Sequence, residues 1–244
     1  MNIALVGFGK MGKEIDRLVK MGGVHQVVSV SLENKNSGWD EEGLKKADVV
    51  IDFTSPEVIL ENIKKVTSLG KNMVVGTTGW NEKLEEVKKI VEKSGTGLVY
   101  GGNFSIGANI FFQIVKYASK LFSQYEEYDV YGFEIHHSGK KDSPSGTALK
   151  TAQEVLQNFP SKKTIQSEKL NRQIQKDELH FASIRGGRNP GFHQVVFDSA
   201  ADSVTLNHQA HGRTGFAMGA ILAAEFIKGK KGVVNFEEVL DEKN

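Results

Sequence analysis

Two adjacent histidines and a nearby lysine stand in one short stretch whose residue types suit proton transfer. His136 and His137 come a few residues before Lys140, and the stretch ends in Ser145-Gly146-Thr147, where the pattern predicts the start of a helix. Histidine titrates near neutrality, and a helix start offers backbone N–H groups and a positive dipole end to a carboxylate. The spacing therefore predicts a site for an anionic substrate that is protonated as it reacts.

A metal site at the two histidines is the less favoured interpretation. Adjacent residues on a strand point to opposite faces of a sheet, and no carboxylate or third histidine stands at ligand spacing in the sequence. The chain has no cysteine, which excludes disulfides, thiolate metal sites and a cysteine nucleophile. We expect no metal.

A second candidate site lies at the beginning of the chain. The apolar run Asn2 to Val6 leads into Gly7-Phe8-Gly9-Lys10-Met11-Gly12, and a helical pattern follows. A second strand is predicted over 26–32, and Glu33 at its end stands 21 residues after Gly12. This is the dinucleotide-binding layout, in which glycines permit a tight turn, the helix start faces the pyrophosphate and the acid meets the ribose. A glycine-rich turn of some other α/β domain is the alternative. The predicted cofactor contacts here are Gly7, Phe8, Gly9, Lys10, Met11, Gly12 and Glu33.

The charges around Glu33 bear on which dinucleotide binds. A carboxylate repels a 2′-phosphate, so Glu33 favours NAD, but Lys35 lies two residues on and offsets that repulsion. Lys10 in the turn either reaches phosphate or stays solvated. We expect NADH to work, and NADPH remains open.

The elements that must hold these sites begin with alternating strands and helices, which predict a parallel sheet covered on both faces. The predicted strands after the first two are 47–53, 72–75 and 98–100, and the predicted helices are 57–69 and 81–94. Ligands bind at the carboxyl ends of such strands. The strand-end loops there are Gly76-Thr77-Thr78 and Gly101-Gly102-Asn103-Phe104, which we expect to approach the nicotinamide or its ribose; ordinary turn glycines are the alternative.

The second half of the chain has a different pattern. A long helix is predicted over 106–122, a strand that delivers the histidines over 128–136, and a helix over 147–159. A polar excursion over 160–178 precedes three β-rich runs at 180–185, 192–199 and 203–210, which predict a mixed sheet. The apolar helix predicted over 214–228 is too apolar to face water all round, so we expect it to pack on the first domain.

These patterns define an α/β protein with a Rossmann-type parallel-sheet domain and a central α+β domain with a mixed sheet. The expected dinucleotide-binding domain is 1–106 with 215–244, and the expected substrate-binding domain is 107–214. The formal net charge of +1 gives no reason to expect nucleic acid or an anionic membrane as partner. Because no apolar stretch approaches ~20 residues and no basic-then-apolar leader precedes the first strand, we expect a cytoplasmic location.

Taken in order, the motifs of the whole chain resemble those of the dihydrodipicolinate reductase (4-hydroxy-tetrahydrodipicolinate reductase) family. The matching stretches are Gly7 to Gly12, Gly76-Thr77-Thr78-Gly79, Gly102-Asn103-Phe104-Ser105, Glu134-Ile135-His136-His137 with Lys140 and Asp142, Pro144-Ser145-Gly146-Thr147-Ala148, and Ser183-Ile184-Arg185 with Gly187, Gly191 and His193. The stretch from Glu134 to Ala148 is the most specific of them.

The resemblance implies an enzyme of lysine and diaminopimelate biosynthesis that transfers hydride from NADH or NADPH to a cyclic imine dicarboxylate, giving tetrahydrodipicolinate. His136 matches the family's proposed catalytic acid, and Lys140 matches its second proton donor or electrophilic stabiliser. The implied substrate carboxylate contacts are His137, Lys140, Ser145, Gly146 and Thr147. The resemblance also implies a homotetramer built on the central sheet. Family members often carry arginine where this chain has Asn34.

Two other functions remain as alternatives. Another two-domain dehydrogenase, such as an aspartate dehydrogenase, would account for the nucleotide-binding half but leave the stretch from His136 to Thr147 without a role. A catalytically silent nucleotide sensor predicts cofactor binding without turnover, and the presence of His136 and Lys140 argues against it.

Overall fold

The computed structural model of the chain describes residues 1–31 and 39–242. They form two compact units. The first comprises Met1–Ile106 and the segment that begins at Arg213, and the second comprises Gly107–Gly212, which separates those two segments in the sequence. Within the described ranges, no helix is both long enough and apolar enough to cross a membrane.

The elements are numbered in chain order. The strands are β1 (Asn2–Val6), β2 (Gln26–Ser31), β3 (Val49–Asp52), β4 (Asn72–Val75), β5 (Gly97–Tyr100), β6 (Asp129–His136), β7 (Thr164–Gln166), β8 (Glu178–Arg185), β9 (Phe192–Asp198), β10 (Ser203–Gln209) and β11 (Gly232–Asn235). The helices are α1 (Lys10–Gly22), α2 (Glu41–Lys46), α3 (Ile59–Ser68), α4 (Leu84–Ser94), α5 (Ile106–Phe122), α6 (Gly146–Asn158), α7 (Thr214–Ile227) and α8 (Phe236–Asp241).

The first unit is a parallel sheet with strand order β11-β5-β4-β3-β1-β2. Its strands are continuous apolar runs because both faces are buried. Alternate residues feed two cores: Ile3, Leu5 and Ile51 pack with α1, α7 and α8, whereas Ala4, Val6 and Val50 pack with α2, α3 and α4. The carboxyl ends of β1, β3, β4 and β5 therefore lie along one edge.

The second unit is a mixed sheet with strand order β10-β9-β6-β8-β7. Strand β6 runs parallel to β8 and antiparallel to β9, which places it at the centre. Helices α5 and α6 cover one face, where Phe111, Val115 and Ala152 pack against Val130 and Phe181. Residues of β6 at even positions, Glu134 and His136 among them, point into this covered face.

The sequence pattern predicts most elements to within a few residues, and 72–75 and 106–122 are predicted without error. Among the described residues, four short elements were not predicted: α2, β7, β11 and α8. The excursion over 160–178 contains β7, which adds an edge strand beside β8, and the helix predicted over 81–94 begins with a 3-10 turn at Asn81–Lys83. The predicted end of β2 at Leu32 lies outside the described residues.

Candidate functional sites

The glycine-rich turn after β1 is shaped by contacts that leave no room for side chains at two of its glycines. Gly7 has φ +86°, and a Cβ there would lie 2.5 Å from the Phe53 carbonyl oxygen. A Cβ on Gly12 would lie 2.3 Å from the Gly7 oxygen. A Cβ on Gly9 would meet no atom within 4 Å. The turn is thus closed on its inner side and open at Gly9 beside the start of α1, which fits a bound pyrophosphate.

The other predicted residues of this turn differ in where their side chains lie. Phe8 and Met11 are half-buried and pack against the core on the α1 face of the sheet, whereas Lys10 is exposed. Contact of Phe8 or Met11 with a dinucleotide would therefore be made largely by the backbone. The predicted contacts Glu33 and Lys35, together with Asn34, lie outside the described residues.

The two later strand-end loops lie on the same edge of the sheet. Thr77 is buried, Thr78 and Gly102 are exposed, and a cavity of about 140 Å³ lies between the loops, lined also by Trp80 and Asn235. A Cβ on Gly76 would lie 2.1 Å from the Phe53 ring, so this glycine is needed for packing.

In the strand-end loop Gly101-Gly102-Asn103-Phe104, the first and last residues pack against the protein interior. Gly101 is buried against Phe236, and the Phe104 side chain is 2% exposed and packs on the Phe53 and Phe236 rings. Phe104 is thus a core residue whose side chain faces away from solvent. The side chain of Asn103, the residue before Phe104, accepts a hydrogen bond from the Ser105 backbone N–H (2.8 Å).

In the second unit, the fully buried carboxylate of Glu134 organises the candidate substrate site. One oxygen, Oε1, accepts hydrogen bonds from the Ser145 backbone N–H (2.9 Å), Ser183 Oγ (2.9 Å) and Arg185 Nη2 (2.7 Å). Burial acts to raise the pKa of Glu134, but these three donors outweigh it and lower that pKa to about 2. Glu134 is therefore a carboxylate at every physiological pH.

The other oxygen of Glu134 faces the first histidine. His136 Nδ1 contacts Glu134 Oε2, so we assign the Nδ1 proton to that contact. On the opposite side of the ring, a Cβ on Gly191, whose φ is +150°, would lie 3.0 Å from His136 Nε2. Gly191 thus leaves the space beside Nε2 clear. Burial lowers the pKa of His136, although the charge of Glu134 opposes that shift.

Two more histidines continue this row across the sheet. His193 pairs with Glu134 in the β6–β9 register, and His208 pairs with His193 in the β9–β10 register. His193 Nε2 lies 3.2 Å from Ser145 Oγ and 4.0 Å from Glu134 Oε2. Burial and then the charge of His136 lower the pKa of His193 to about 3, and burial lowers the pKa of His208. The His193 imidazole is therefore neutral at physiological pH.

The loop after β6 carries the lysine. The His137 backbone N–H donates to the Asn189 carbonyl (2.8 Å), the Lys140 N–H donates to the His137 carbonyl (3.1 Å), and Lys140 Nζ contacts both oxygens of Asp142 (2.8 and 2.9 Å). Arg185 Nη2, besides binding Glu134, donates to the Asp142 carbonyl (2.8 Å). One guanidinium thus ties the lysine loop to the buried carboxylate.

The predicted helix start also belongs to this cluster. Ser145 is the N-cap of α6, and its Oγ accepts from the Ala148 N–H (3.1 Å). Gly146 is exposed, and Thr147 is half-buried. His136, Lys140 and Ser145 are therefore connected through Glu134 and its donors, with Gly146 and Thr147 following directly at the helix start.

The support that Glu134, Ser183, Arg185 and His193 give to this site was not predicted, although each of these residues stands in a matching motif. The prediction that no carboxylate or third histidine stands at ligand spacing from His136 was wrong, because strand pairing brings ligand atoms of Glu134, His136 and His193 within 4.8 Å of one another. Arg185 on the other oxygen of Glu134 places a cation where it would oppose a bound metal ion. The expectation of no metal remains a prediction.

A parallel sheet with a glycine-rich turn after its first strand, joined in one chain to a mixed sheet that holds a buried histidine–carboxylate cluster, defines a two-domain nicotinamide-dependent oxidoreductase. The family models "Dihydrodipicolinate reductase, N-terminus" and "Dihydrodipicolinate reductase, C-terminus" match residues 1–104 and 107–240. The chain belongs to the dihydrodipicolinate reductase family.

Individual relatives agree with that assignment. The 4-hydroxy-tetrahydrodipicolinate reductase of Christiangramia forsetii is 35% identical over 242 residues, covering 99% of this chain and 98% of the relative. The same enzyme of Methanococcus aeolicus is 35% identical over 226 residues, covering 91% and 80%. Among solved structures, the dipicolinate-bound dihydrodipicolinate reductase of Paenisporosarcina sp. TG-14 is 26% identical, with a TM-score of 0.78 and 98% of each chain covered.

A more distant likeness concerns the fold alone. DAP dehydrogenase of C. glutamicum, solved in complex with DAP, is 14% identical with a TM-score of 0.56, covering 100% of this chain and 96% of that one.

Membership of the family establishes the reaction. The protein is an oxidoreductase that reduces 4-hydroxy-tetrahydrodipicolinate to tetrahydrodipicolinate with NADH or NADPH, in lysine and diaminopimelate biosynthesis. The matches do not favour an aspartate dehydrogenase or a catalytically silent sensor. The predictions of fold class, family, reaction and cofactor are confirmed.

Proposed function

We propose that the two units divide the reaction between them, so that residues 1–106 with 215–244 bind the dinucleotide and residues 107–214 bind and protonate the dicarboxylate substrate. The observation that carries this proposal is the Glu134 cluster, in which one buried carboxylate contacts His136 and receives hydrogen bonds from Ser145 and Arg185. A buried anion with this many donors fixes side chains in place before any ligand binds.

Substrate carboxylates are proposed to bind at the start of α6 and on the loop before it. Ser145, Gly146 and Thr147 form the helix start, where the dipole favours an anion, and Lys140 and His137 lie on the preceding loop. The Paenisporosarcina relative is described with dipicolinate bound, which is a dicarboxylate of the same class. The cations around this helix start are those that a dianionic substrate requires.

The proton chemistry is assigned to Lys140 and His136. When bound, NAD(P)H supplies the hydride, and the reduced imine system of the substrate is left with negative charge. The Lys140 ammonium, held by Asp142, stabilises such charge and donates hydrogen bonds to it. His136 holds its Nδ1 proton toward Glu134 and keeps Nε2 beside Gly191 for the substrate.

Protonation of His136 is proposed to follow substrate binding. Burial lowers the pKa of His136, so in the free protein the imidazole is mostly neutral and Nε2 accepts hydrogen bonds. Two substrate carboxylates placed nearby add negative charge, which raises the pKa of an imidazole. The substrate thereby prepares the proton that it later receives.

Dinucleotide binding is assigned to the glycine turn and the two later strand-end loops. The open backbone at Gly9 and the α1 start would hold the pyrophosphate, and exposed Lys10 lies beside them. The loops Gly76-Thr77-Thr78 and Gly101-Gly102-Asn103-Phe104 would hold the nicotinamide half, with Phe104 contributing through its backbone. Glu33 and Lys35 are proposed to set the choice between NADH and NADPH.

A homotetramer is proposed from the outer face of the mixed sheet. Tyr131 and Ile184 are 42% and 48% exposed, Ile135 pairs with Ile184 on one side and with Phe192 on the other, and the Phe133 and Phe192 rings are in contact. An apolar sheet face of this kind is typical of a subunit interface.

We also propose a cytoplasmic location with no nucleic-acid or membrane partner, consistent with the lack of cysteine and the net charge of +1.

The test is nicotinamide oxidation by purified protein, with substrate made in situ from pyruvate and aspartate semialdehyde by the preceding synthase. NADH and NADPH are compared in parallel, and Lys35→Ala is tested with both. We expect synthase-dependent oxidation with each cofactor, and Lys35→Ala should weaken the reaction with NADPH more than with NADH. Equal effects on the two cofactors would contradict the role given to Lys35. Full activity without the synthase would contradict the substrate assignment.

A further inference from the structure

The carboxylate of Asp52, the last residue of β3, is buried at the edge of the parallel sheet where the cofactor loops begin. It is 0% exposed. Its Oδ1 accepts hydrogen bonds from the Thr54 backbone N–H (3.0 Å), Thr54 Oγ1 (2.7 Å) and Thr77 Oγ1 (3.1 Å). Its Oδ2 accepts from Asn62 Nδ2 (2.8 Å). Every described partner is a donor, so the site is built for an acceptor-only group.

These bonds join two separate strand-end turns. Thr54 belongs to the turn after β3 and Thr77 to the turn after β4, and the Thr54 N–H also donates to Thr77 Oγ1 (2.9 Å). The Trp80 indole N–H donates to the Thr77 carbonyl (2.7 Å), which fixes the far side of the same turn. Thr77 is thereby held with its hydroxyl inward, and the next residue, Thr78, is exposed at the edge.

The residue between Asp52 and Thr54 extends the same connection to the glycine turn. The Phe53 carbonyl oxygen lies 2.5 Å from where a Cβ on Gly7 would be, and the Phe53 ring lies 2.1 Å from where a Cβ on Gly76 would be. The Phe53 N–H donates to the Val6 carbonyl (3.0 Å), and the Gly76 N–H donates to the Asp52 carbonyl (2.9 Å). A shift of the β3 turn would therefore move the turns at Gly7 and Gly76 together.

We propose that Asp52 is a positioning residue that sets the geometry of the cofactor loops at Gly7 and at Thr77 without touching the cofactor. The inference rests on the proposed function, in which those loops bind the dinucleotide. A carboxylate without exposure is unfavourable in itself, and burial raises the pKa of Asp52 to about 6 despite its four donors. A group held against that penalty, at the junction of two ligand loops, fits a positioning role better than general stabilisation.

The test compares Asp52→Asn with Asp48→Asn. Asp48 precedes the same strand at its other end, where it accepts from the Asn2 N–H (2.7 Å) and pairs with Lys228 (3.2 Å). We expect Asp52→Asn to weaken NADH binding to the free enzyme by about 10-fold while kcat at saturating NADH stays within about 3-fold. Asp48→Asn should leave NADH affinity unchanged, even if its unfolding midpoint falls.

A second pair of variants keeps the inference testable if Asp52→Asn does not fold. Asn62→Leu removes the amide that donates to Asp52 Oδ2, and Thr67→Val, on the same helix, removes a buried hydroxyl that donates to the Ile63 carbonyl. NADH titration should give weakened affinity for Asn62→Leu and wild-type affinity for Thr67→Val. Wild-type NADH affinity in Asp52→Asn or Asn62→Leu, or a loss confined to kcat, would overturn the inference. Wild-type protein that fails to bind NADH would instead contradict the assignment of these loops to the cofactor, on which the role of Asp52 rests.

Discussion

At the scale of single residues, the side chains that could transfer protons are evident from the sequence, but the side chains that hold them in place are not. His136 and Lys140 are recognisable from their types and spacing, but Glu134 and His193 lie far apart in the chain. The register of β6 on β9 places them opposite one another. No local pattern states that register, since it is set when the sheet assembles around its core. The candidate catalytic histidine, His136, could be predicted from the sequence, whereas the groups that hold it in place could not.

The first residue-scale prediction concerns the buried carboxylate. Glu134→Gln keeps the shape but leaves Arg185 and His136 without their anion, and breaking a buried pair costs about 3–5 kcal/mol. We expect a loss of unfolding free energy in that range and a fall in kcat/KM of about 100-fold, measured by urea unfolding and steady-state kinetics.

The matched control for that variant is Glu178→Gln, which removes a carboxylate from a surface pair with Arg172 in the same unit. It should leave kcat/KM unchanged. Wild-type kcat/KM in Glu178→Gln and Glu134→Gln alike would show that the Glu134 cluster is not part of the substrate site.

The second residue-scale prediction concerns pH. Burial lowers the pKa of His136 in the free protein, and substrate carboxylates should raise it in the complex. Because His136 must be protonated to donate, both kcat/KM and kcat should fall as pH rises. The fall in kcat should occur at a higher pH than the fall in kcat/KM. The kcat/KM profile reports the free enzyme and the kcat profile reports the complex.

Steady-state rates between pH 5 and 9, with His136→Gln as control, measure this difference. Activity of the wild type that rises with pH across the range would contradict a histidine donor, as would an unchanged profile in His136→Gln.

At the scale of elements, periodicity and turn residues predict what local sequence controls. The apolar stripe of α5 gives its bounds without error. The strands that are followed by glycine, β1, β4 and β5, match their predicted bounds to within one residue. The elements that were not predicted are short, and contacts distant in the sequence or at their ends stabilise them. Strand β11 is stabilised by pairing with β5, and α8 by the Asn235 capping box. A six-residue helix carries too few apolar positions to show a period.

The prediction at this scale separates capping from substrate binding at α6. Ser145→Ala removes the cap bond to Ala148 and should lower the unfolding free energy by about 1 kcal/mol while raising KM for the dicarboxylate. Asn235→Ala removes the cap of α8 with a similar loss of stability. Its KM for the dicarboxylate should stay at the wild-type value. Equal KM values in the two variants would mean that Ser145 only caps the helix.

At the scale of the whole molecule, the apolar character of the last long helix predicts the return of the final segment to the first unit. Helix α7 is too apolar for an exposed position, and Ala217, Ala220 and Ala224 pack in the same core as Ile3 and Leu5. The assembly of subunits is less accessible to such reasoning. Strand β6 buries its even-numbered residues under α5 and α6, and nothing in its sequence states what covers the other face.

Light scattering after size-exclusion chromatography tests the proposed tetramer. Ile184→Asp places a charge in the row with Ile135 and Phe192 and should shift the protein to a smaller species. Met21→Asp changes a residue of the first unit that is 72% exposed and should leave the mass unchanged. A wild-type monomer, or a tetramer that survives Ile184→Asp, would contradict an interface on this sheet face.

The most direct test of the central claim measures chemistry and cofactor binding separately in His136→Ala and Lys140→Ala. Because both residues are assigned to the substrate unit, turnover should fall by about 100-fold or more while the dissociation constant for NADH, measured by fluorescence titration without substrate, stays within about 2-fold of wild type. A large loss of NADH affinity in either variant, or turnover that survives both substitutions, would contradict the division of the reaction between the two units.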